Sequence, residues 1–199
     1  MQADLSIHLT AAIGRLHQAS SDFDLNPEVT LAKNRVLRLA AVLIAVQETA
    51  AGPQVILTQR ASTLKHHAGQ IAFPGGKRDE DDTSLEETAL READEEIGLA
   101  PDNVHILGRL PTHETVTGFT VTPILGLVRA TYLPKLDHGE VAEAFTAPLS
   151  HVTDIARFSI QGRRWRGQRR RYYTVPYGPY YIWGATARIL RSLAEGINA

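Results

Sequence analysis

The sequence contains no cysteine among its 199 residues. This absence excludes disulfide bonds and metal sites built on thiolates. No apolar run approaches the ~18 residues that a membrane-spanning helix needs, and residues 1–20 lack the basic-then-apolar order of a secretory signal peptide. These absences favour a cytoplasmic protein with no membrane partner.

An excess of charge of one sign is also absent. The formal net charge is −1, which argues against a general nucleic-acid binder. Hydrophobic residues make up 43% of the chain and charged residues 22%, ordinary values for a globular protein. The length suits one domain with a full hydrophobic core. Because we find no internal repeat and no low-complexity linker, we expect a single domain over residues 1–199.

The segment Phe73–Leu99, FPGGKRDEDDTSLEETALREADEEIGL, carries the strongest chemical signal. It begins with a Gly-Gly pair that predicts a turn, passes through an acidic loop and ends in a helical pattern. At about 100° per residue, Glu92, Glu95 and Glu96 fall within roughly a third of the helix circumference. Gly98 stands where a left-handed residue commonly ends a helix. A neighbouring apolar stripe is predicted to pack inward and consists of Ala89, Leu90, Ala93 and Ile97.

Three carboxylates on one helical face repel one another, at about 0.2–0.5 kcal/mol for each like-charge pair in water. A hard divalent cation, Mg²⁺ or Mn²⁺, offsets that repulsion. Arg91 lies one turn before Glu95, the weaker order for helix stability, which indicates that Arg91 positions a ligand. The alternative is a solvated acidic helix face. The glycines on both sides of the segment favour the metal site.

The segment resembles the Nudix box, whose second half reads R-E-apolar-x-E-E-x-G-apolar. The first half departs from that pattern, because Gly76 stands one residue early and Asp82 is the acidic residue six positions after it. Upstream, residues 56–76 resemble the signature of the coenzyme A pyrophosphatase branch, L-L-T-x-R-S-x-x-x-R-x-x-x-G-x-x-x-F-P-G-G. The substitutions in that signature are Ile56, Ala61 and Lys65. The second half of the box is matched at Arg91, Glu92, Ala93, Glu95, Glu96, Gly98 and Leu99.

Mixed strands flanked by a central and a terminal helix imply an α/β/α sandwich with a mixed sheet, and the resemblance implies the same fold, with the box over residues 73–99. Residues 1–34 are expected to form an N-terminal helix and loop extension. The resemblance also implies a metal-dependent pyrophosphohydrolase that cleaves coenzyme A or acyl-coenzyme A to 3′,5′-ADP and 4′-phosphopantetheine. The implied cofactor is Mg²⁺ or Mn²⁺. The implied catalytic residues are Arg91, Glu92, Glu95 and Glu96, the metal ligands are the three glutamates with Gly76, and the substrate-binding residues are Arg60, Lys65 and Gly75. Asp82 is expected to be structural.

Several alternatives stay open at this point. The general base is Glu92 or a glutamate outside the box, Glu114 or Glu140. The substrate is coenzyme A or another nucleoside diphosphate derivative, such as ADP-ribose, NADH or a dNTP. A non-catalytic Nudix sensor that binds a nucleotide or RNA is a third interpretation, although such domains usually lose box glutamates and this chain retains all three. A homodimer is expected from the N-terminal helix and from family habit.

Periodicity predicts the remaining elements. Helices are predicted over residues 4–17 and 180–194. Strands are predicted over 38–46 and 54–59, which form a hairpin, and over 104–109 and 119–129, where Pro123 indicates an edge or a bulge.

A further hairpin is predicted over residues 158–173, turning near Gly167. Three interpretations of its arginines stay open: contacts for the 3′-phosphate of coenzyme A, with Trp165 stacked on the adenine, an exposed charged hairpin, or an RNA-contacting patch. The six arginines are Arg163, Arg164, Arg166, Arg169, Arg170 and Arg171.

Overall fold

A computed structural model describes residues 2–32, 35–165 and 168–199. Two short 3₁₀ turns, Pro101–Asn103 and Ile155–Arg157, follow the second and third α-helices. No helix in the described ranges is long and apolar enough to cross a membrane. The α-helices are α1 (Gln2–Gly14), α2 (Leu85–Ile97), α3 (Leu149–Val152) and α4 (Gly184–Ile197).

The strands form a large mixed sheet and a separate hairpin. Nine strands of the described chain belong to the large sheet, and β10 and β11 form the hairpin. The strands are β1 (Ser20–Ser21), β2 (Arg38–Thr49), β3 (Gly52–Arg60), β4 (Ile71–Ala72), β5 (Gly75–Lys77), β6 (Val104–Arg109), β7 (His113–Glu114), β8 (Phe119–Val128), β9 (Val141–Pro148), β10 (Ser159–Trp165) and β11 (Gln168–Thr174).

The apolar strand β2 lies at the centre of the sheet. It pairs in parallel with β8 from Arg38 opposite Phe119 to Gln47 opposite Val128. On its other side β2 pairs antiparallel with β3, which confirms the predicted hairpin, and with β5. The sheet is therefore mixed, as predicted.

Both faces of the sheet are covered by helices. Leu9 of α1 and Leu190 of α4 are fully buried against one face, and Ala93 of α2 is fully buried against the other. Because alternate side chains of a strand point to opposite faces, β2 supplies both cores. It places Ala40, Ile44 and Val46 on the α1/α4 side and Ala41, Leu43 and Ala45 on the α2 side. The α/β/α sandwich is confirmed.

The N-terminal helix is engaged within its own chain. Leu9 and Ala12 are fully buried, and a Cβ added at Gly196 of α4 would meet the carbonyl oxygen of Ala12 at 2.5 Å. The close approach of α1 and α4 explains why Gly196 has no side chain. It also removes the idea of a spare helix, on which the expected homodimer partly rested.

Of the two features that Pro123 predicts, an edge or a bulge, the edge is wrong. Strand β8 is paired on both sides, with β2 on one and with β6 and β7 on the other. Pro123 lies between the residues paired with those last two strands, and its carbonyl accepts the N–H of Leu110 at 2.9 Å. A residue without an N–H is tolerated there because the ladder is interrupted at that point.

The final helix begins at Gly184, four residues later than predicted. The preceding chain is extended instead, since Trp183 pairs with Thr174 and the carbonyl of Ile182 accepts the N–H of Val175. This pairing buries Ile182 and Val175 completely. Tertiary pairing therefore overrides the helical pattern over residues 180–183.

Candidate active site

The helix that carries the three glutamates is fixed at both ends. The side-chain oxygen of Ser84 caps its start by accepting the N–H of Glu87 at 3.1 Å. Gly98 ends it with φ 68°, donating its N–H to the carbonyl of Asp94 at 2.8 Å. Ala89, Ala93 and Ile97 are fully buried on its inner face. The predicted helix, stripe and terminating glycine are all present.

The Gly-Gly pair forms strand β5 rather than a turn. Gly76 pairs with Ala41 and Gly75 with Val42. At φ 151° Gly75 has a backbone conformation that favours glycine, and a Cβ there would overlap the carbonyl of Ala41. A Cβ on Gly76 would overlap the carboxylate of Glu92. Both glycines are needed because the backbone passes directly between the sheet and the glutamate.

Glu96 is a buried carboxyl with little compensation, only 4% exposed. Its Oε2 accepts the N–H of Gly75 at 3.1 Å, and Nη1 of Arg60 lies 3.9 Å from its Oε1. Burial raises the pKa of Glu96 to about 7, although the N–H of Gly75 and the guanidinium of Arg60 both lower it. Burial also raises the pKa of Glu92. A positive charge placed beside Glu92 and Glu96 would therefore stabilise their ionised forms.

Arg91 links the glutamates to the preceding loop. Its Nη1 donates to Oε1 of Glu92 at 3.0 Å and to Oε2 of Glu95 at 3.1 Å. Its Nε and Nη2 donate to the two carboxylate oxygens of Asp82, both at 3.0 Å. These hydrogen bonds hold the pKa of Asp82 far below its usual range and raise the pKa of Arg91. Asp82 has the structural contacts that the sequence predicted for it.

The chemical types of the donors fit a hard divalent cation, whereas their present arrangement in the described chain does not yet form a site. Glu92 and Glu96 offer carboxylate oxygens whose burial disfavours the unpaired anion, and the side chain of Glu95 is 61% exposed. In the described ranges, no group of three or more histidine or acidic side chains is arranged to hold a metal ion. Since Arg91 binds both Glu92 and Glu95, an ion held by these two carboxylates would have to displace Arg91 from them.

The two outside candidates for the general base lie in different places. After burial itself, the charge of Glu140 is among the causes that raise the pKa of Glu92 and of Glu96, so Glu140 lies near the glutamate cluster. Glu114 instead forms an ion pair with Arg35 at 2.5 Å. Of the two, Glu140 is the candidate whose charge acts on the cluster.

A cavity of about 500 Å³ lies beside β5. Its walls come from β2, the start of α4, residues 115–117 and the β10–β11 hairpin. Arg60, Gly75 and Gly76 line it, whereas Lys65 is exposed and is not among its lining residues. Of the predicted substrate and metal residues, Arg60, Gly75 and Gly76 therefore line one cavity, whereas Lys65 and the three glutamates are not among its lining residues.

Three of the hairpin arginines, Arg163, Arg170 and Arg171, also line this cavity. Arg163 stacks over the ring of Trp183, with its guanidinium carbon 4.7 Å from the ring centroid. Trp183 is a lining residue that the sequence analysis missed, because nothing in its local pattern connects it to the box. Arg164 and Arg169 are exposed and do not line the cavity, and Arg166, Gly167 and the side chain of Trp165 lie outside the described residues.

Comparison with known proteins decides the family. The NUDIX domain model matches residues 37–165. The Nudix hydrolase NudL of Citrobacter koseri, itself uncharacterised, is 43% identical over 161 residues, which cover 81% of this chain and 83% of that protein. The chain belongs to the Nudix hydrolase family. NudL of Salmonella dublin is 42% identical over 174 residues, 87% of this chain and 90% of that protein.

Solved Nudix structures share the fold. RenU, a Nudix hydrolase from M. smegmatis, superposes with a TM-score of 0.51 at 22% identity, over 62% of this chain and 84% of that chain. The C. elegans Ap4A hydrolase gives 0.50 at 21% identity, over 59% and 85%. As a Nudix hydrolase, the protein acts on phosphoric anhydrides of small nucleotide molecules. The family generally uses divalent metal ions.

Proposed function

We propose that this Nudix hydrolase cleaves the diphosphate of coenzyme A or acyl-coenzyme A, giving 3′,5′-ADP and 4′-phosphopantetheine or its acyl form. The supporting observation is that one cavity is lined both by Gly75 and Gly76, beside the glutamates, and by three hairpin arginines. Coenzyme A carries a diphosphate and a separate 3′-phosphate, so it presents two anionic groups to such a cavity. The signature over residues 56–76 supports the same substrate.

We assign the metal ligands to Glu92, Glu95 and Glu96 with the carbonyl of Gly76, and the ion to Mg²⁺ or Mn²⁺. When bound, the ion neutralises phosphate charge and activates water for attack. In the metal-free protein Arg91 binds Glu92 and Glu95, and Arg91 is itself held in place by Asp82.

The other roles follow from position. Arg60 lines the cavity 3.9 Å from Glu96 and is placed to contact a phosphate oxygen of the diphosphate. Gly75 brings main chain to the same wall. Lys65 lies outside the cavity, so its assignment as a substrate contact rests on the signature over residues 56–76 alone. Glu92, whose pKa is raised by burial, is the assigned general base, with Glu140 as the alternative.

The assay that tests this proposal offers the protein Mg²⁺ or Mn²⁺ with coenzyme A, acyl-coenzyme A, ADP-ribose, NADH and dNTPs. We expect the coenzyme A compounds to be cleaved fastest. Dephospho-coenzyme A is the matched control because it lacks only the 3′-phosphate, and we expect its kcat/KM to be about tenfold lower. Fastest cleavage of ADP-ribose would remove the substrate assignment, and full activity in EDTA would remove the metal. Binding without cleavage would favour a sensor.

Two further expectations stay predictions, the cytoplasmic location and the homodimer. Size-exclusion chromatography with light scattering tests the homodimer directly. A monomer at micromolar concentration would contradict the homodimer. Leu9 and Ala12 are already buried within the chain, so these side chains offer no free surface to a partner.

A further inference from the structure

A short N-terminal segment, residues 20–26, forms part of the cavity wall. Its last residue, Asn26, is 1% exposed. The side-chain oxygen of Asn26 accepts the N–H of Arg171 at 2.8 Å, and its amide nitrogen donates to the carbonyl of Arg171 at 2.9 Å and to that of Asp22 at 3.1 Å. Asn26 therefore makes a reciprocal pair of hydrogen bonds with the backbone of β11.

The hairpin depends on such side-chain contacts for its position. In the described chain, β10 and β11 form a ladder with each other and share none with the nine-stranded sheet. At the base of the hairpin, Thr174 pairs with Trp183 and donates its hydroxyl to the carbonyl of Ile182 at 2.9 Å. Asn26 binds β11 three residues before Thr174, next to the arginines that line the cavity.

The segment that carries Asn26 is itself anchored to the large sheet. Asp22 accepts the N–H of Val116 at 2.8 Å, and its other carboxylate oxygen lies 3.2 Å from Nε2 of the fully buried His113. Ser20 Oγ lies 2.9 Å from the second ring nitrogen of His113, and β1 pairs in parallel with β7. The contacts run without a gap from the sheet through Asp22 and Asn26 to β11.

We propose that Asn26 is a positioning residue for substrate recognition. It fixes β11 so that Arg170 and Arg171 line the cavity, where they bind an anionic group of the nucleotide substrate remote from the cleaved diphosphate. Asn26 lies outside residues 37–165, so substrate recognition extends beyond the matched family domain. The inference rests on the proposed function in taking a nucleotide with a second anionic group as the ligand.

The test compares wild-type protein with Asn26→Ala and Asn26→Asp on whichever substrate of the panel is cleaved fastest. For Asn26→Ala we expect KM to rise about tenfold or more with kcat within about threefold, because binding is lost and the glutamates are untouched. Asn26→Asp keeps the acceptor for the N–H of Arg171 but loses both donors, so its KM should be intermediate. It also serves if the alanine variant does not fold.

Asn103 provides a matched control. It makes the same reciprocal pair with the backbone of Ala130, at 2.9 and 2.8 Å, and does not line the cavity. We expect Asn103→Ala to leave KM unchanged. An equal rise of KM in both variants, or wild-type KM in folded Asn26→Ala, would overturn the inference.

Trypsin gives a readout that needs no substrate, because the hairpin is rich in arginine. We expect faster cleavage within residues 163–171 in Asn26→Ala than in wild type, with no change in Asn103→Ala. If no compound of the panel is cleaved, the proposed function fails while the trypsin comparison still decides whether Asn26 positions the hairpin. Wild-type cleavage rates in Asn26→Ala would then refute it.

Discussion

The buried carboxyl of Glu96 is assigned as a metal ligand, yet its ionised form lowers the stability of the folded protein. Its burial raises its pKa from 4.5 to about 7, so the folded protein prefers the protonated form while the unfolded chain ionises near the ordinary value. A raised pKa means that the contribution of Glu96 to stability is fully present below pH 4.5 and is lost as the pH rises through about 7. The metal-free protein therefore carries a destabilising anion at pH 8.

We predict that Glu96→Gln increases the free energy of unfolding at pH 8 in EDTA, by about 1–3 kcal/mol. The same variant should lose more than about a hundredfold in rate, on the order of 3 kcal/mol. Urea denaturation at pH 8 and pH 5 checks the first effect, which should shrink at pH 5. Asp94→Asn is the control, because Asp94 is an exposed carboxyl on the same helix. It should change neither the free energy of unfolding nor the rate. A loss of stability in Glu96→Gln at pH 8 would contradict the argument.

Some residues of the site could be predicted from the sequence and others could not. Helical spacing was enough to place Glu92, Glu95 and Glu96 on one face, because that geometry is local. The bidentate pair of Arg91 with Asp82 depends on the path of a loop, which spacing does not define. Trp183 was missed for the same reason, since only the folded chain brings it to the cavity.

The loop before α2 is held to that helix largely through one carboxylate. Besides Arg91, Asp82 accepts the N–H of Asp79 at 2.9 Å and the hydroxyl of Thr88 at 2.8 Å, and it is 5% exposed. A buried carboxylate with this many donors is ionised in the folded state and orders the loop around it. The one-residue departure from the Nudix box pattern therefore leaves the support of Arg91 in place.

We predict that Asp82→Asn lowers the free energy of unfolding by about 2 kcal/mol at pH 7, because an amide cannot accept both donors of Arg91. The lowered pKa of Asp82 means that its contribution is present above pH 3.8, its ordinary value, and is lost as the pH falls through the folded value. The difference between variant and wild type should therefore narrow below about pH 4. Thermal melts of Asp82→Asn and the exposed neighbour Asp81→Asn check this, and equal melts at pH 7 would refute it.

Element prediction succeeded where the pattern was long. Strand β2 and helix α2 each extend over twelve or more residues, so their type is clear from the sequence. Strands β1, β5 and β7 have two or three residues each and form only because distant partners supply their hydrogen bonds. The Gly-Gly pair was expected to turn for this reason, since nothing local indicates its pairing with β2.

The cavity belongs to the scale of the whole molecule. Its walls come from residues 20–26, 115–117, 163–171 and the start of α4, segments separated by long stretches of chain. The sequence predicted the wall that carries the glycines and Arg60, because those residues belong to one continuous signature. No local pattern indicates that residues of an N-terminal segment, Asp22 and Asn26, line the same cavity.

Metal binding should couple this site to the stability of the whole fold. An ion that binds only the folded state adds about 2.7 kcal/mol at a hundred times its dissociation constant. We predict that Mn²⁺ raises the melting temperature of wild type, and raises it more at pH 8 than at pH 6 because the proton on Glu96 competes with the ion. Melts in EDTA, in Mn²⁺ and in KCl of equal ionic strength measure the effect.

The matched variants for that experiment are Glu92→Gln with Glu96→Gln, which removes two assigned ligands, and Asp94→Asn, which removes an exposed carboxyl from the same helix. The double variant should lose the Mn²⁺-dependent rise, and the control should keep it. In the metal-free protein Arg91 forms ion pairs with Glu92 and Glu95. Part of the free energy of metal binding is therefore used to separate Arg91 from the two glutamates. If Mn²⁺ still raises the melting temperature of the double variant, the ion binds elsewhere. The buried charge of Glu96 would then have no assigned cation.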